Sequence, residues 1–480
     1  MKTSICQLPQ HQGSAPDGGQ PLHPLGPEDV TQLPLDQGPT LTDVGNGERL
    51  KAQHGADLLY CYPWKSWFVW DGRRFREDDD GEVIRRAKAT ATSIFDEGER
   101  AHATRTQQRP RLEAMIWAAQ SELSVQVPAL DRDDDLLNLE NGTLDLRTLT
   151  LREHNRADKL TKLAPVSFDG SAGCPLWIDF LKRVLGNDPE LLSFVQRACG
   201  YTLSAETSEH VLFLLYGTGA NGKSTFIETM LALLGDYGRP TEFRTLLDQG
   251  NSHGVRNDLA ALVGVRLVTA VEVGEGKQLD EAVVKQVTGG DTITARKLFQ
   301  EFFDFKPRFK LWLAANYKPE IRGVDEAIWR RVLLVPFEVT IPPQERDHEL
   351  GRKLRAELPG ILAWAVEGLR AWRKYGLQPP QRVIAATAEY RHEQDLLADF
   401  LEARCIIGAG HFVVTSDLNA AYGLWAGGDA VRARMLGRLL RAHGFHPGQR
   451  KVEGKNHKCW VGLKLSDVEV APGDRGGPAG

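Results

Sequence analysis

Short apolar runs alternate with amphipathic stretches between about residues 205 and 340. Three of the runs are typical of buried parallel strands: "HVLFLLY" (210–216), "VRLVTAVE" (265–272) and "FKLWLAANY" (309–317). After the loop that follows the first run, "KSTFIETMLALLG" has the period of a helix that ends at Gly235. The pattern therefore predicts an α/β core with a parallel sheet over residues 205–340.

The chain before this core shows other patterns. Residues 1–50 are rich in Pro, Gly, Gln and Asp without a sustained apolar period, so we expect a disordered leader. Aromatic alternation in "LLYCYPWKSWFVWDGRRF" predicts a hairpin, and "NLENGTLDLRTLTLREH" (138–154) predicts strands joined by a turn at Asn141 and Gly142. With helical stretches up to about residue 123, these elements predict an α/β accessory domain over 51–170, and residues 171–204 are expected to form a helical linker or collar.

The chain after the core is mainly amphipathic. Residues 341–404 have apolar positions at three- and four-residue spacing, which predicts a helical C-terminal part of the core domain. Residues 405–466 predict two helices and then two short strands around a Lys/Gly turn, the order of a winged helix-turn-helix. Residues 467–480 are expected to be a flexible tail.

Composition narrows the class of protein. The chain has 480 residues, of which 41% are hydrophobic, enough for several domains. Its longest apolar runs are shorter than the ~18 residues of a membrane span, and its N-terminus lacks the apolar block of a signal peptide. The six cysteines are scattered singly, which argues against a zinc ribbon or a disulfide scaffold. We therefore expect a cytoplasmic protein without a membrane partner.

The net charge of −5 hides a basic segment near the C-terminus. Residues 430–458 contain eight basic residues and a single acidic residue, Glu453. Such a segment is typical of a nucleic-acid-binding surface, and a solvated helix face is the alternative. The candidate DNA contacts in this segment include Arg432, Arg434, Arg438, Arg441, Lys451 and Lys455.

The stretch "YGTGANGKSTF" (216–226) has the spacing of a Walker A phosphate-binding loop. Glycines let backbone N–H groups point at the β-phosphate, Lys223 is placed to reach the β- and γ-phosphates, and the Ser224 hydroxyl is placed to hold Mg²⁺. The predicted strand and helix on either side supply the context that this motif requires. The expected nucleotide contacts are Gly217, Thr218, Gly219, Ala220, Asn221, Gly222, Lys223, Ser224 and Thr225.

Polar residues beside the other predicted strands are candidates for the chemistry. Glu272 is placed to polarise the attacking water and support Mg²⁺, and a merely exposed carboxylate is the alternative. Asn316 is placed to orient water near the γ-phosphate, although asparagine after an apolar run is more often a turn former. Arg330 and Arg331 precede another strand, where a guanidinium can act on a neighbouring subunit's nucleotide; a salt bridge within the subunit is the alternative for one of them.

Between about residues 135 and 405 the chain resembles the phage and plasmid primase-helicases, which belong to the superfamily 3 helicases and are similar to the poxvirus primase-helicase. The matching blocks occur in one order with close spacing: "NLENGTLDLRTLTLREH", "CPLWIDFLKRVLG", "ACGYTLSAETSEHVLFLLYGTGANGKSTF", "LVTAVEVGEGKQLDEAVVKQVTGGDTITARKLF" and "PRFKLWLAANYKPEIRGVDEAIWRRVLLVPF". The resemblance implies an AAA+-like P-loop ATPase that forms a homo-hexamer, uses ATP and Mg²⁺, and moves along single-stranded DNA during replication of a phage, plasmid or integrated element in a bacterial host.

The resemblance also implies roles for single residues. It makes Gly217 to Ser224 the Walker A loop, with Ser224 and Glu272 at the metal. Glu272 becomes the Walker B carboxylate, Asn316 the sensor, and Arg331, or Arg330, the arginine finger. The block "VKQVTGGDTITARK" corresponds to the segment that leads into a DNA-gripping hairpin. Its candidate contacts are Lys285, Arg296 and Lys297, while Phe299 is expected to fill the core rather than stack on a base.

The chain departs from the family pattern in two places. Superfamily 3 members often carry two adjacent carboxylates at Walker B, whereas Glu272 is followed by Val273 and the next acid is Glu275. Fused members also carry a primase domain that is not found before the shared region here. A separate primase or replication initiator is therefore an expected partner, beside single-stranded and forked DNA. The alternatives are a complete primase-helicase, a DNA-binding ATPase switch that does not unwind, and a small-molecule kinase.

Overall fold

A computed structural model describes residues 39–247, 257–271, 274, 276–296, 302–321, 326–426 and 433–466. Most of the expected leader and the expected tail lie outside these residues. So do several of the predicted functional residues: Glu272, Glu275, Lys297, Phe299 and Arg432.

The N-terminal region contains helices and two antiparallel sheets. The elements of its first part are α1 Asp43–His54, β1 Leu58–Cys61, β2 Ser66–Trp70, β3 Phe75–Glu77, α2 Glu82–Ser93, α3 Arg100–Thr106 and α4 Arg109–Glu122. Pairing of β1 with β2 and of β2 with β3 confirms the hairpin predicted from the aromatic alternation. The second sheet contains β4 Leu136–Leu139, β5 Gly142–Asp145 and β6 Thr150–Arg152. The register of β4 with β5 confirms a turn between these strands, but the turn residues are Glu140 and Asn141, because Gly142 is already the first residue of β5.

Helix α1 corrects the expected boundary of the leader at residue 50, because it already begins at Asp43. Its buried side includes Gly45, Asn46 and Gly47. A Cβ on Gly47 would lie 2.8 Å from the Cβ of Ala118 in α4, so the two helices approach very closely. Leu50 is the only large apolar residue among the buried residues of α1, so the helix has no apolar period, which is why the sequence pattern does not reveal it.

The centre of the molecule is a five-stranded parallel sheet. Helices α5 Pro175–Val184 and α6 Pro189–Leu203 precede it. The elements that follow are β7 Leu212–Tyr216, α7 Lys223–Leu234, β8 Gly238–Pro240, α8 Asn257–Ala260, β9 Leu267–Val271, α9 Glu281–Gly289, β10 Ile293–Arg296, β11 Phe302–Phe305, β12 Lys310–Ala315, α10 Glu326–Trp329 and β13 Val332–Pro336. The strand order β13-β7-β12-β9-β8 confirms the predicted parallel α/β core, while β10 and β11 form a separate pair.

Both faces of this sheet are covered, which explains why its strands read as continuous apolar runs. On one face, Phe213 of β7 stacks on Trp312 of β12 with ring centroids 4.3 Å apart. On the same face, Trp177 of α5 stacks on Phe226 of α7 at 5.6 Å. Residues 171–204, expected to be a linker or collar, thus contribute to the core of the central sheet.

Buried cations close the amino end of the sheet. Lys310, at the start of β12, donates a hydrogen bond to the carbonyl oxygen of Glu206 at 3.1 Å. Arg266, just before β9, donates to the carbonyl oxygens of Leu203 and Leu136. Burial lowers the pKa of both side chains. These bonds join α6 and β4 to the sheet.

The C-terminal elements form two groups. The first contains α11 Leu350–Ala356, α12 Leu358–Tyr375 and α13 Gln381–Glu393. The second contains α14 Leu396–Arg404, β14 Cys405–Val414, α15 Thr415–Ala426, α16 Ala433–Ala442, β15 His446–Val452 and β16 Lys455–Leu465. In it, β16 pairs with both β14 and β15. None of the described helices is both long and apolar enough to cross a membrane.

The second group confirms the predicted order of helix, helix, strand and strand, with two differences. Strand β14 is not predicted, because its glycines and largely exposed side chains hide the strand pattern. Helix α14 packs Phe400 and Leu401 into the C-terminal core, so this unit begins about ten residues before the expected boundary at 405. Amphipathic spacing predicts the helix but does not say which core it covers.

Candidate active site and candidate nucleic-acid surfaces

The predicted phosphate-binding loop lies at the carboxyl end of the parallel sheet, between β7 and α7. Close approaches explain two of its glycines. A Cβ on Gly217 would lie 2.1 Å from the carbonyl oxygen of Phe337. Gly222 has a φ of +86°, and a Cβ there would lie 2.7 Å from Val184 of α5. Any larger residue at these positions would have to displace backbone or core atoms.

The chain after β13 holds the loop in place. The Nδ2 of buried Asn221 donates to the carbonyl oxygen of Phe337 at 2.8 Å. The N–H of Ile341 donates to the carbonyl oxygen of Ala220, also at 2.8 Å, and Ala220 has a positive φ of +49°. Contacts within the chain therefore fix the loop conformation.

Lys223, the first residue of α7, is only 5% exposed. Its Nζ donates to the carbonyl oxygen of Gly217 at 2.5 Å and to the Oδ1 atoms of Asn221 and Asn316, both at 3.1 Å. Burial lowers the pKa of this ammonium group. All of these partners are neutral oxygens, and no carboxylate pairs with Lys223 within the described part of the chain. An anionic ligand at the loop would supply the missing counter-charge.

Asn316 reaches Lys223 because β12 and β7 are neighbours in the sheet. The two strands pair in parallel up to Ala315 and Tyr216, so their carboxyl ends lie side by side. Asn316, Thr218 and Ser224 are exposed, and Thr225 is half-buried. The structure therefore brings the predicted sensor to the predicted loop, with open polar side chains around a buried cation.

The expected metal ligands are only partly described. Ser224 is exposed at the start of α7, whereas Glu272 and Glu275 lie outside the described residues. Strand β9 ends at Val271 and pairs in parallel with β12, so the carboxyl ends of these two strands lie side by side. Within the described residues, no group of three or more His, Cys, Asp or Glu side chains is arranged to hold a metal ion.

The two arginines before β13 differ in their surroundings. Arg331 is 9% exposed, and its Nε donates to Thr288 Oγ1 at 3.2 Å. Its Nη1 donates to the carbonyl oxygen of Ala327 at 2.6 Å. Arg330 is exposed. The resemblance ranks Arg331 first for a contact with a neighbouring subunit, whereas the structure places its guanidinium inside its own chain.

The segment expected to lead into a DNA-gripping hairpin does lead into a hairpin, formed by β10 and β11. The guanidinium of Arg296 lies 5.0 Å from the ring centroid of Phe302, which is 59% exposed. Lys285 lies on α9 instead, 3.7 Å from Glu281. Phe302 is absent from the sequence-based candidates. Its place in an aromatic run is the signal in the sequence that points to it. The sequence does not reveal its contact with Arg296, because that contact depends on the register of β10 with β11.

The described basic residues of the segment 430–458 lie on one helix and one hairpin. Arg438 and Arg441 are exposed on α16, and Lys451 and Lys455 are exposed on β15 and β16. Arg434 also lies in α16. The hairpin turns at Glu453 and Gly454, which have φ values of +51° and +82°.

Two protein-family models match the chain. The model described as "D5 N terminal like" matches residues 47–186, from α1 through α5. The model described as "Family of unknown function (DUF5906)" matches residues 215–331, from the end of β7 to the residue before β13.

Curated relatives include viral proteins named as helicases. "Putative helicase L207/L206" of Acanthamoeba polyphaga mimivirus is 30% identical over 293 residues, which cover 57% of this chain and 30% of the relative. "Putative helicase 022R" of Frog virus 3 is 27% identical over 300 residues, with the same two coverages of 57% and 30%. The chain thus spans less than a third of the length of these relatives.

Among solved structures, the apo C terminal region of NrS-1 is similar to the chain with a TM-score of 0.49 and 10% sequence identity. The similarity covers 84% of this chain and 95% of that region.

Proposed function

We propose that this chain, which belongs to the primase-helicase family, is an ATP-driven DNA helicase of the superfamily 3 type. In this proposal six copies form a ring that moves along single-stranded DNA during replication of a phage, plasmid or integrated element. The observation that carries the proposal is the buried Lys223 ammonium, whose partners Gly217, Asn221 and Asn316 are all neutral.

The loop suits the triphosphate of ATP. Backbone N–H groups at the start of α7, together with the Lys223 ammonium, would hold the β- and γ-phosphates. Binding would exchange the neutral partners of Lys223 for phosphate oxygens, which offsets the cost of burying its charge. The exposed Ser224 hydroxyl and Glu272 would hold Mg²⁺, and the ion would neutralise charge on the phosphates.

Hydrolysis in this proposal needs one oriented water molecule. The water attacks the γ-phosphorus, the bond to the ADP oxygen breaks, and ADP, phosphate and a proton are released. Glu272 would accept a hydrogen bond from this water. The Oδ1 of Asn316 accepts from Lys223, which leaves its Nδ2 group to donate to the water or to the γ-phosphate.

Arg330 is the better candidate for contact with the nucleotide of a neighbouring subunit. Its side chain is exposed, whereas the guanidinium of Arg331 bonds to Thr288 and Ala327 of its own chain. A guanidinium must be accessible at the surface of one subunit to stabilise charge in the next. Arg331 would instead hold α9 against the start of β13.

DNA would meet the chain at two surfaces. Arg296 and Phe302 on the β10–β11 hairpin would grip the phosphate backbone and stack against bases of a single strand. The C-terminal unit would act as a winged helix on duplex DNA at a fork, with α16 in the groove and the β15–β16 hairpin on the phosphates. A separate primase or initiator would complete the replication apparatus.

The proposal is tested on the full chain by three measurements: ATP hydrolysis, unwinding of a forked DNA duplex, and electron microscopy with single-stranded DNA and an ATP analogue. We expect six-membered rings, DNA-stimulated hydrolysis and unwinding. Glu272→Gln should bind ATP but lose hydrolysis and unwinding, while Glu228→Gln, an exposed position on α7, should behave as wild type. Hydrolysis without unwinding would support a DNA-binding ATPase switch, and no ATP binding would refute both functions.

A further inference from the structure

We propose that the N-terminal region positions the β10–β11 hairpin, through packing of Phe303 against an aromatic cluster formed by Trp64, Phe68 and Phe75. The inference rests on the proposed function, because it assigns the N-terminal region a role in presenting the hairpin to DNA. The contact joins two parts of the chain that the separate family models match, residues 47–186 and residues 215–331.

The hairpin needs support from elsewhere in the chain. Strands β10 and β11 pair only with each other among the described strands, and each has four residues. An isolated pair of short strands is marginally stable in water and must pack one face on another element. The orientation of its free face then depends on what covers the other face.

The two faces of the hairpin have different characters. Cross-strand pairing places Ile293 opposite Phe305 and Ala295 opposite Phe303 on the covered face. The other face carries the pairs Thr294–Asp304 and Arg296–Phe302. This second face is open, with Phe302 59% exposed.

The covered face packs on two different cores. Ile293, at the base of the hairpin, belongs to the core of the central sheet. Ala295 and Phe303, farther along, belong instead to a core formed mainly by the N-terminal region, which also includes Ala260 of α8. The ring of Phe303 meets Trp64 edge-on with centroids 6.2 Å apart, and Trp64 lies 5.9 Å from Phe68. The outer half of the hairpin is thus held by the N-terminal region together with α8.

This packing determines where the open face lies. Arg296 is directly beside Ala295, and Phe302 is directly beside Phe303, so the two cores hold the backbone from which both side chains project. Their mutual contact at 5.0 Å keeps the guanidinium against the ring. A shift of the N-terminal region would therefore move this pair relative to the nucleotide loop.

The first test measures single-stranded DNA affinity and ATP hydrolysis with and without DNA in the full chain. Phe303→Ala and Trp64→Ala should each lower DNA affinity and DNA stimulation about tenfold, the scale expected for contacting residues, and leave basal hydrolysis within about twofold. The double variant should bind DNA no more weakly than the more impaired single variant, because both substitutions remove the same contact. Trp117→Ala, which removes a 71% exposed indole from α4, is the matched control and should change neither quantity.

The second test is hydrogen exchange of the same proteins without DNA. The amides of Ile293–Arg296 should exchange faster in both alanine variants, while those of β12 stay unchanged. Phe303→Leu, which keeps apolar volume, should restore protection; it also decides the question if Phe303→Ala fails to fold. Unchanged hairpin exchange would overturn the positioning role. If hairpin exchange is faster in the variants but the wild-type chain itself does not bind DNA, the positioning role is supported and the proposed function is refuted.

Discussion

The two ends of the central sheet each bury a lysine, in different surroundings. At the carboxyl end, the Lys223 ammonium donates to a loop carbonyl and two side-chain amides. At the amino end, the Lys310 ammonium donates to the carbonyl oxygens of Ser204, Glu206 and Arg308. Burial lowers the pKa of both, and that of Lys310 falls well below its ordinary value.

The difference between them lies in what surrounds the charge. Lys310 is 1% exposed, lies 4.8 Å from the ring centroid of Tyr201, and joins segments that come together from distant parts of the chain. Lys223 is followed by the exposed Ser224 and bonds to the exposed Asn316. The comparison teaches that burial and a lowered pKa are shared by an enclosed lysine and by a lysine beside an accessible edge. Access to an open polar edge, at the carboxyl ends of parallel strands, separates the two.

The largest expected effect is on ATP hydrolysis, when each of the two lysines is replaced in turn. Lys223→Ala should abolish ATP hydrolysis, because no other described cation bonds to the loop, while the chain still folds. Hydrolysis per folded molecule should persist in Lys310→Met. The measurements are ATPase rate and thermal unfolding, with exposed Lys374→Ala on α12 as control. Hydrolysis that survives in Lys223→Ala would contradict the comparison.

The next effect concerns the arginines at the amino end of β13. Arg330→Ala should lower hydrolysis about a thousandfold if its guanidinium acts on a neighbouring subunit, without loss of stability. Mixing it with Lys223→Ala subunits should restore part of the activity, because some interfaces then pair an intact loop with an intact arginine. Arg331→Ala should instead destabilise the chain, since Arg331 is buried. Rescue of Arg331→Ala but not Arg330→Ala would reverse the assignment.

A smaller effect is expected on the free energy of unfolding when Lys310, the lysine at the amino end of the sheet, is replaced. Lys310→Met keeps most of the side-chain volume but removes the donor to three carbonyl oxygens, so it should lower the unfolding free energy by about 2 kcal/mol. In Lys310→Met the carbonyl groups stay buried without a donor. The free-energy cost of leaving them unpaired exceeds the gain from no longer burying a charge. Urea unfolding checks the prediction against Lys374→Met. Equal stability of the two variants would show that the bonds at Lys310 are not stabilising.

The smallest effect is a pH dependence. Because the folded pKa of Lys310 is well below 10.5, the unfolded chain binds more protons than the folded chain between that folded pKa and 10.5. Stability contributed by this group therefore rises with pH in that window, by at most about 1.4 kcal/mol per pH unit. The rise should be missing in Lys310→Met, measured as the difference between the two urea-unfolding pH profiles. Parallel profiles would mean that Lys310 does not titrate there.

Local pattern was enough for the parts of the site that lie close together in the chain. The strand, loop and helix from Leu212 to Leu234 are contiguous, and their spacing and apolar period need no distant partner. The sequence likewise indicated that Asn316 ends a strand, but its contact with Lys223 depends on the order β7-β12. The missed helix α1 shows the same limit, since its partner α4 lies far along the chain.

The sequence by itself determined the class of the core, the phosphate-loop motif and the basic character of the C-terminal unit, because each depends on residue types at short spacing. Tertiary structure decided which cations are enclosed and which are open: Lys310 and Arg331 are buried, whereas Arg330 is exposed. It also decided that the N-terminal cluster covers the hairpin. Burial and access depend on atoms supplied by distant segments, and no local pattern of charged or apolar residues specifies which segment will cover a side chain.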